Sequence, residues 1–351
     1  RHQLGVRVRQ SDRREAVDGT DMMNRPGPEV LVTMSGAFRI LESYAPEVLV
    51  VEVVSEFYQG PSLQEHRSTH PLPGFAQVKT EQLETGPLWN LESDGRLQQV
   101  LTESGLAPGS PKRILLFDNI QLACGTAQSR FDASARLLSI LYYFGFSHAA
   151  IILDPRIHAS FPDEFAARQP EVVRRLASRL LPSEAGNSQG RASAQGRWVP
   201  KHPDHLVNHE TMVQLLAGRL GPYRLLDARS AEEYAGMFTG YDYIPLAGRI
   251  PTAESVINGD YQVSATEGLE AVLARLADTL ARKRIDHKDR LVWYCGTGWR
   301  ASRMCALTRA LGYTNVAIYD GGWNEWHQRH PIDGTERPSG IENRGSPDQA
   351  G

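Results

Sequence analysis

The chain has 351 residues, of which 41% are hydrophobic and 23% charged, and its formal net charge is -3. That length sets a prior of two ordinary domains, and the composition is that of a globular protein in water. The weak net charge gives no general reason to expect nucleic acid or an anionic membrane as a partner, and no apolar run is long enough to cross a bilayer. The three cysteines, Cys124, Cys295 and Cys305, make no disulfide framework and match no zinc spacing. A free thiol in a reducing compartment, the cytoplasm, is expected, with no metal and no cofactor. The chain begins with Arg1, a start compatible with a trimmed targeting leader.

Residues 1–28 read as a flexible lead-in. Val30-Leu-Val-Thr33 is a short strand candidate. Val48-Leu-Val-Val-Glu-Val-Val54 is a stronger one, apolar apart from Glu52 and suited to burial on both faces of a parallel sheet. Arg113-Ile-Leu-Leu-Phe-Asp118 is another buried strand, Ala133 to Phe144 a helix, and Ala149-Ala-Ile-Ile-Leu-Asp154 one more strand. Alternating strands and helices over residues 29–181 predict an α/β unit with a mainly parallel sheet.

Small, polar residues without apolar period mark a flexible linker over 182–204. A second α/β unit spans 205–333. It has a helix candidate at Val207 to Leu220, a strand at Tyr223 to Ala228, a long amphipathic helix at Glu267 to Ile285 and a last strand at Asn315 to Tyr319. Residues 334–351 are polar and read as a disordered tail.

The stretch that organises this unit is Leu291-Val-Trp-Tyr-Cys-Gly-Thr-Gly-Trp-Arg300. A strand ends at Cys295, a glycine-rich loop follows, and a helical pattern starts at Arg300. A thiol at that junction faces the unpaired N–H groups of a helix N-terminus, a setting that favours thiolate. Glycines let the loop curl with its N–H groups inward. Cys295 is therefore the candidate nucleophile; the competing reading is a small buried hydrophobe. Cys305 lies on the apolar helix face and reads as core. Arg300 either binds an anion or pairs with a carboxylate such as Asp227. Trp293 and Trp326 read as packing residues, and Trp299, inside the loop, as an exposed pocket wall.

The strand, Cys295-Gly-Thr-Gly-Trp-Arg300, the helix and Tyr319-Asp-Gly-Gly-Trp323 resemble the rhodanese family of sulfurtransferases. Leu225-Leu-Asp-Ala-Arg229 with Glu232-Glu-Tyr234 is similar to the family's early strand and helix. Gly248-Arg-Ile-Pro-Thr-Ala253 is similar to its Gly-His-Ile-Pro-Gly-Ala signature, with Arg249 for His and Thr252 for Gly. The first half reads as a degraded second copy, with Asp118 at the position of Cys295. Its segment Ser68 to Phe75 loosely echoes the same signature. Asp118 cannot carry a persulfide, so the resemblance implies two rhodanese-like domains, the first structural or regulatory. One motif competes: Cys124-Gly-Thr-Ala-Gln-Ser-Arg130 has the spacing of a cysteine phosphatase loop, but Cys124 does not follow a strand.

The resemblance implies a Cys295 persulfide. Four residues separate Cys295 from Arg300, one fewer than in the dual-specificity phosphatase loop, which favours a single outer sulfur over a phosphoryl group. Family members that favour thiosulfate carry extra cations near the loop. Here only Arg300 is cationic, so polysulfide or a protein persulfide is at least as good a donor. Tyr294-Cys-Gly-Thr-Gly-Trp-Arg300 with Gly240-Tyr-Asp-Tyr243 is similar to the anaerobic ergothioneine-forming rhodaneses, which thiolate hercynine. That narrower resemblance implies substrate contacts from Tyr241, Tyr243, Tyr294, Gly296, Thr297, Gly298, Trp299 and Arg300. The alternatives are a cysteine phosphatase and a non-catalytic persulfide carrier for a partner protein.

Overall fold

The computed structural model describes residues 30–44, 48–54, 76–108, 113–118, 128–129, 131–153, 198–264 and 267–330. The lead-in, the Ser68 to Phe75 echo, the Cys124 loop apart from Gln128–Ser129, most of the linker and the tail lie outside the described residues.

Two five-stranded parallel sheets form the frame. The first is built from β1 (Leu31–Val32), β2 (Val48–Val54), β3 (Ala76–Lys79), β4 (Arg113–Asp118) and β5 (Ala149–Ile152), in the order β1-β5-β4-β2-β3. The second is built from β6 (Leu206–Val207), β7 (Arg224–Asp227), β8 (Glu254–Ser255), β9 (Leu291–Tyr294) and β10 (Val316–Tyr319), in the order β6-β10-β9-β7-β8. The orders are identical strand for strand, as a duplication requires. The central strands are buried on both faces because neither face meets water. Glu52 is tolerated in β2 because Gln77 Nε2 donates to its carboxylate at 2.6 Å.

Among the described residues, eight α-helices flank the sheets: α1 (Met34–Tyr44), α2 (Asp94–Glu103), α3 (Asp132–Tyr143), α4 (His209–Leu216), α5 (Ala231–Tyr234), α6 (Leu269–Arg282), α7 (Trp299–Ala310) and α8 (Gly322–Arg329). None is long and apolar enough to cross a membrane. The expected helices at Ala133, Val207 and Glu267 are present with ends shifted by a few residues. Helix α2, capped by the Ser93 side chain, had no counterpart in the sequence reading.

Helices α3 and α7 follow equivalent strands and pack on each other, so one core runs through both halves. The end of the expected linker is ordered at this junction. The Lys201 and His202 N–H groups donate to Tyr143 O at 2.9 and 3.1 Å, and Trp198 packs edge-on to Phe144.

The two copies differ at the end of the central strand. In the second, β9 ends at Cys295. In the first, β4 ends at Asp118, whose Oδ2 accepts the Ala133 and Ser134 N–H groups at 3.1 and 3.3 Å. The N-terminus of α3 is thus capped by a fixed carboxylate, an anion held where the helix dipole favours one.

Candidate functional site

Cys295 is wholly buried at the end of β9. Its carbonyl accepts the Trp323 N–H at 2.7 Å, and the Gly296 carbonyl accepts the Asn324 N–H at 3.0 Å. The loop is therefore tied to the first turn of α8. This close approach requires Gly322: its φ is +55°, and a Cβ there would lie 2.5 Å from both carbonyl oxygens. The loop then turns into α7 through Gly298, whose φ of 86° is left-handed. Helix α7 begins one residue earlier than the pattern suggested, at Trp299.

Over the loop lies a cavity of about 420 Å³. From the second half its wall includes Tyr241, Tyr243, Thr297, Trp299, Arg300 and Arg303; from the first it includes Glu84, Trp89 and Asp132. Cys295 adds no surface to this wall, whereas its loop neighbour Thr297 does. The Tyr241 ring sits directly on Gly296, leaving no room for a Cβ. Tyr243 pairs with the Thr297 hydroxyl and stands 5.4 Å, ring to ring, from Tyr241. Burial, opposed by Arg300 and reinforced by the neighbouring Glu233, pushes the Tyr241 hydroxyl well above the ordinary tyrosine range. Burial likewise pushes Tyr243 up to about 12, with Thr297 opposing. Both are neutral hydroxyls at physiological pH, able to donate and accept but not stored as phenolates.

Arg300 pairs with a carboxylate, though not Asp227. Its guanidinium holds Glu233 with two bonds of 2.6 and 2.7 Å and donates to the Tyr241 hydroxyl at 2.7 Å. Against the upward push of burial, Arg300 holds the Glu233 carboxyl below its usual range. The charge of Arg300 is thereby neutralised beside the loop.

Asp227 has other partners. Arg229 Nη2 donates to it at 2.7 Å and the Tyr294 hydroxyl at 2.5 Å, all three side chains being buried. Tyr294 was expected to contact substrate. It instead faces the opposite side of the sheet and packs with Tyr319 and Trp323, because side chains alternate along a strand and its neighbour Cys295 takes the other face. Tyr294→Phe should cost about 1–3 kcal/mol by stranding part of the Asp227 hydrogen bonding. Denaturant unfolding should show that loss, with little change in turnover per folded molecule.

Gly296 and Gly298, expected to contact substrate, are buried and are not among the residues lining the cavity, Tyr241 lying against the first and Arg136 against the second. Trp293 and Trp326 are core residues, and Trp299 lines the cavity. Cys305 is buried, and burial pushes its thiol up to about 12, so it is inert at neutral pH. Thr252, standing for the signature's second glycine, has φ of 66°, the left-handed conformation a glycine would adopt freely.

Sequence reasoning missed Glu84, Trp89 and Asp132, all from the copy expected to be only structural or regulatory. They sit on or beside a short hairpin (Glu84–Thr85 with Asn90–Leu91) and at the start of α3. The hairpin docks on the second half. Asn324 Nδ2 donates to the Pro87 and Leu88 carbonyls at 3.2 and 3.1 Å, and the Leu91 N–H donates to Asp320 Oδ2 at 2.8 Å. One signal could have pointed there: Arg136 and Arg303 both stand four residues into the helices that follow equivalent strands.

The family model described as a rhodanese-like domain matches residues 212–329, the stretch that holds this strand-end cysteine and its glycine loop. The first half repeats the fold.

Among curated proteins, the chain is 26% identical over 283 residues to the thiosulfate sulfurtransferase YnjE of Escherichia coli. That match covers 76% of this chain and 56% of the relative. It is 35% identical over 135 residues to a putative thiosulfate sulfurtransferase, SseA, of Mycobacterium leprae, covering 35% of this chain and 43% of the relative. The chain thus spans about half the length of these relatives. Among solved structures it is similar to the anaerobic ergothioneine biosynthesis enzyme from Chlorobium limicola in complex with trimethyl histidine. The TM-score is 0.65 at 21% identity, over 90% of this chain and 72% of that one. The similarity to the crystal structure of YnjE has a TM-score of 0.60 at 22% identity, over 88% and 68%. At these identities the structural likeness speaks to the fold.

Proposed function

We propose that this chain is a rhodanese-type sulfurtransferase in which Cys295 carries a persulfide and passes the outer sulfur to a small-molecule acceptor in the adjoining cavity. The observation that carries the reading is the strand-end thiol under a loop tied to α8, beside a cavity walled by aromatic rings and neutral hydroxyls. The names of the curated relatives support the reaction class.

The acceptor that fits this wall best is hercynine. Its trimethylammonium group offers no N–H and is best held by aromatic faces such as those of Trp89, Trp299 and Tyr243. Its imidazole nitrogens suit the hydroxyls of Tyr241, Tyr243 and Thr297. The step balances as R–H + Cys–S–SH giving R–SH + Cys–SH. The imidazole carbon forms a bond to the outer sulfur, the S–S bond breaks toward Cys295, and the proton from carbon passes to the departing thiolate. Because both tyrosines are neutral, they serve as relays for that proton.

The pairing of Arg300 with Glu233 leaves no spare positive charge on that residue to favour thiosulfate, so polysulfide or a protein persulfide is at least as good a donor. In the test, the chain is loaded with polysulfide and offered hercynine, cyanide and a dithiol separately. Thr297→Ala, Tyr241→Phe and Tyr243→Phe should each slow hercynine turnover by about 10- to 100-fold, and cyanide turnover much less. If hercynine yields no thiolated product while cyanide turns over, the acceptor is wrong and only the sulfurtransferase reading stands.

A further inference from the structure

The wall supplied by the first half contains a charge cluster that the reaction above does not use. Arg136 of α3 is wholly buried. Its Nε donates to Glu84 Oε1 at 2.6 Å, and its Nη2 pairs with Asp320 Oδ1 at 2.5 Å. Glu84 Oε2 accepts the Trp299 Nε1–H at 2.9 Å. One guanidinium is thus shared by two carboxylates. Two arginines line the wall itself: Arg300 pairs with Glu233 at 2.6 Å, and Arg303 with Asp132 at 3.1 Å. Counting Arg136 against Glu84 and Asp320, this group next to the loop carries one excess negative charge when Glu84 is ionised. It acts in a site of reduced dielectric, where a single charge is felt strongly.

We propose that Glu84, contributed by the first half of the chain, sets the charge preference of the Cys295 cavity, favouring cationic ligands and disfavouring anionic ones. Glu84 is here a specificity-determining residue, and the inference rests on the reading of Cys295 as the nucleophile that this cavity serves. It explains what the duplicated copy does for a site whose nucleophile lies in the other half. Helix α3 presents Arg136 to the start of α7 just as α7 presents Arg303 to the start of α3. The first pairing has acquired the extra carboxylate.

The groups facing Glu84 are Arg136 from α3, Trp299 from α7, Asp320 after β10, and Tyr243 across the cavity. Burial pushes the Glu84 carboxyl up to about 7, against the opposing pull of Arg136 and the bond from Trp299. The carboxyl is therefore neutral below that value and charged above it, so the charge preference should switch on as pH rises from 6 to 8.

The test uses two thiol reagents of equal chemistry and opposite charge, trimethylammonium-ethyl and sulfonato-ethyl methanethiosulfonate. Rates on the full-length chain are read at Cys295 by peptide mass spectrometry. Thiol ionisation affects both rates equally and cancels in their ratio. At pH 8 the cationic-to-anionic ratio should fall by about tenfold in Glu84→Gln, which keeps an acceptor for Trp299 but not the charge, and should be largely retained in Glu84→Asp. In the wild type the ratio should rise between pH 6 and 8, and in Glu84→Gln it should be flat. A purely structural role would give the opposite order, with Gln tolerated and the shorter Asp not. Equal ratios in the wild type and Glu84→Gln at pH 8 would overturn the proposal. Should Cys295 react with neither reagent, the nucleophile reading fails instead. Tetramethylammonium binding to Cys295→Ser, titrated by NMR at pH 6 and 8, then decides on Glu84: binding independent of pH and of Glu84→Gln overturns the proposal.

Discussion

Cys295→Ser should abolish sulfur loading and transfer, lowering turnover by at least about 1,000-fold, the scale on which loss of a covalent nucleophile is felt. The reason is chemical. A serine hydroxyl fits the same buried pocket but cannot hold sulfane sulfur at neutral pH. Intact-mass spectra after polysulfide treatment should show added sulfur in the wild type, mapped to Cys295, and none at that position in the variant. Cys305 should stay unlabelled while the chain is folded, since burial keeps it a thiol. Labelling confined to Cys124 or Cys305 would refute the assignment. The fold itself should survive the serine substitution, because the loop is held by the Cys295 and Gly296 carbonyls and α8, not by the sulfur.

The second large effect concerns stability. Arg229 is fully buried, bonds both Asp227 oxygens and the Gly248 carbonyl, and lies between the Tyr294 and Trp323 rings. Replacing it by methionine leaves the buried Asp227 carboxylate without its cation, and breaking such a pair costs about 3–5 kcal/mol. The unfolding midpoint in denaturant should drop accordingly. The double variant Asp227→Asn, Arg229→Met should recover part of the loss, because the stranded charge is gone. If the single and double variants unfold alike, the pair contributes little beyond its packing. The Arg249 position offers a contrast: its half-buried guanidinium lies over the Tyr234 ring and donates to the Tyr234 carbonyl at 3.3 Å.

Apolar runs with a period of two or with continuous hydrophobicity placed the central strands to within a residue or two, because burial on both faces leaves no other composition for them. The Cys295-to-Arg300 loop was equally legible, since its glycines and the strand-to-helix switch are local. Short edge elements were less so: β1 lies within the expected Val30 to Thr33 strand, but the two-residue strands β6 and β8 carry too few residues to show a period, and they exist because a neighbouring strand offers hydrogen bonds.

What the sequence determined alone is therefore the α/β class, the duplication, the position of the candidate nucleophile and the burial of Cys305. Each of these follows from interactions between residues close along the chain or from a repeated pattern. Tertiary structure decided three further things. It turned Tyr294 to the face of the sheet away from Cys295, joining it to Asp227 across 67 positions of sequence. It gave Arg300 to Glu233, because Asp227 was already taken by Arg229. It brought Glu84 to Trp299 across 215 positions, making the first copy a wall of the second copy's cavity. The physical reason is common to all three. A buried polar group must find its partner wherever packing brings one within reach, and that choice is made by the docking of whole elements, which no local pattern in the chain records.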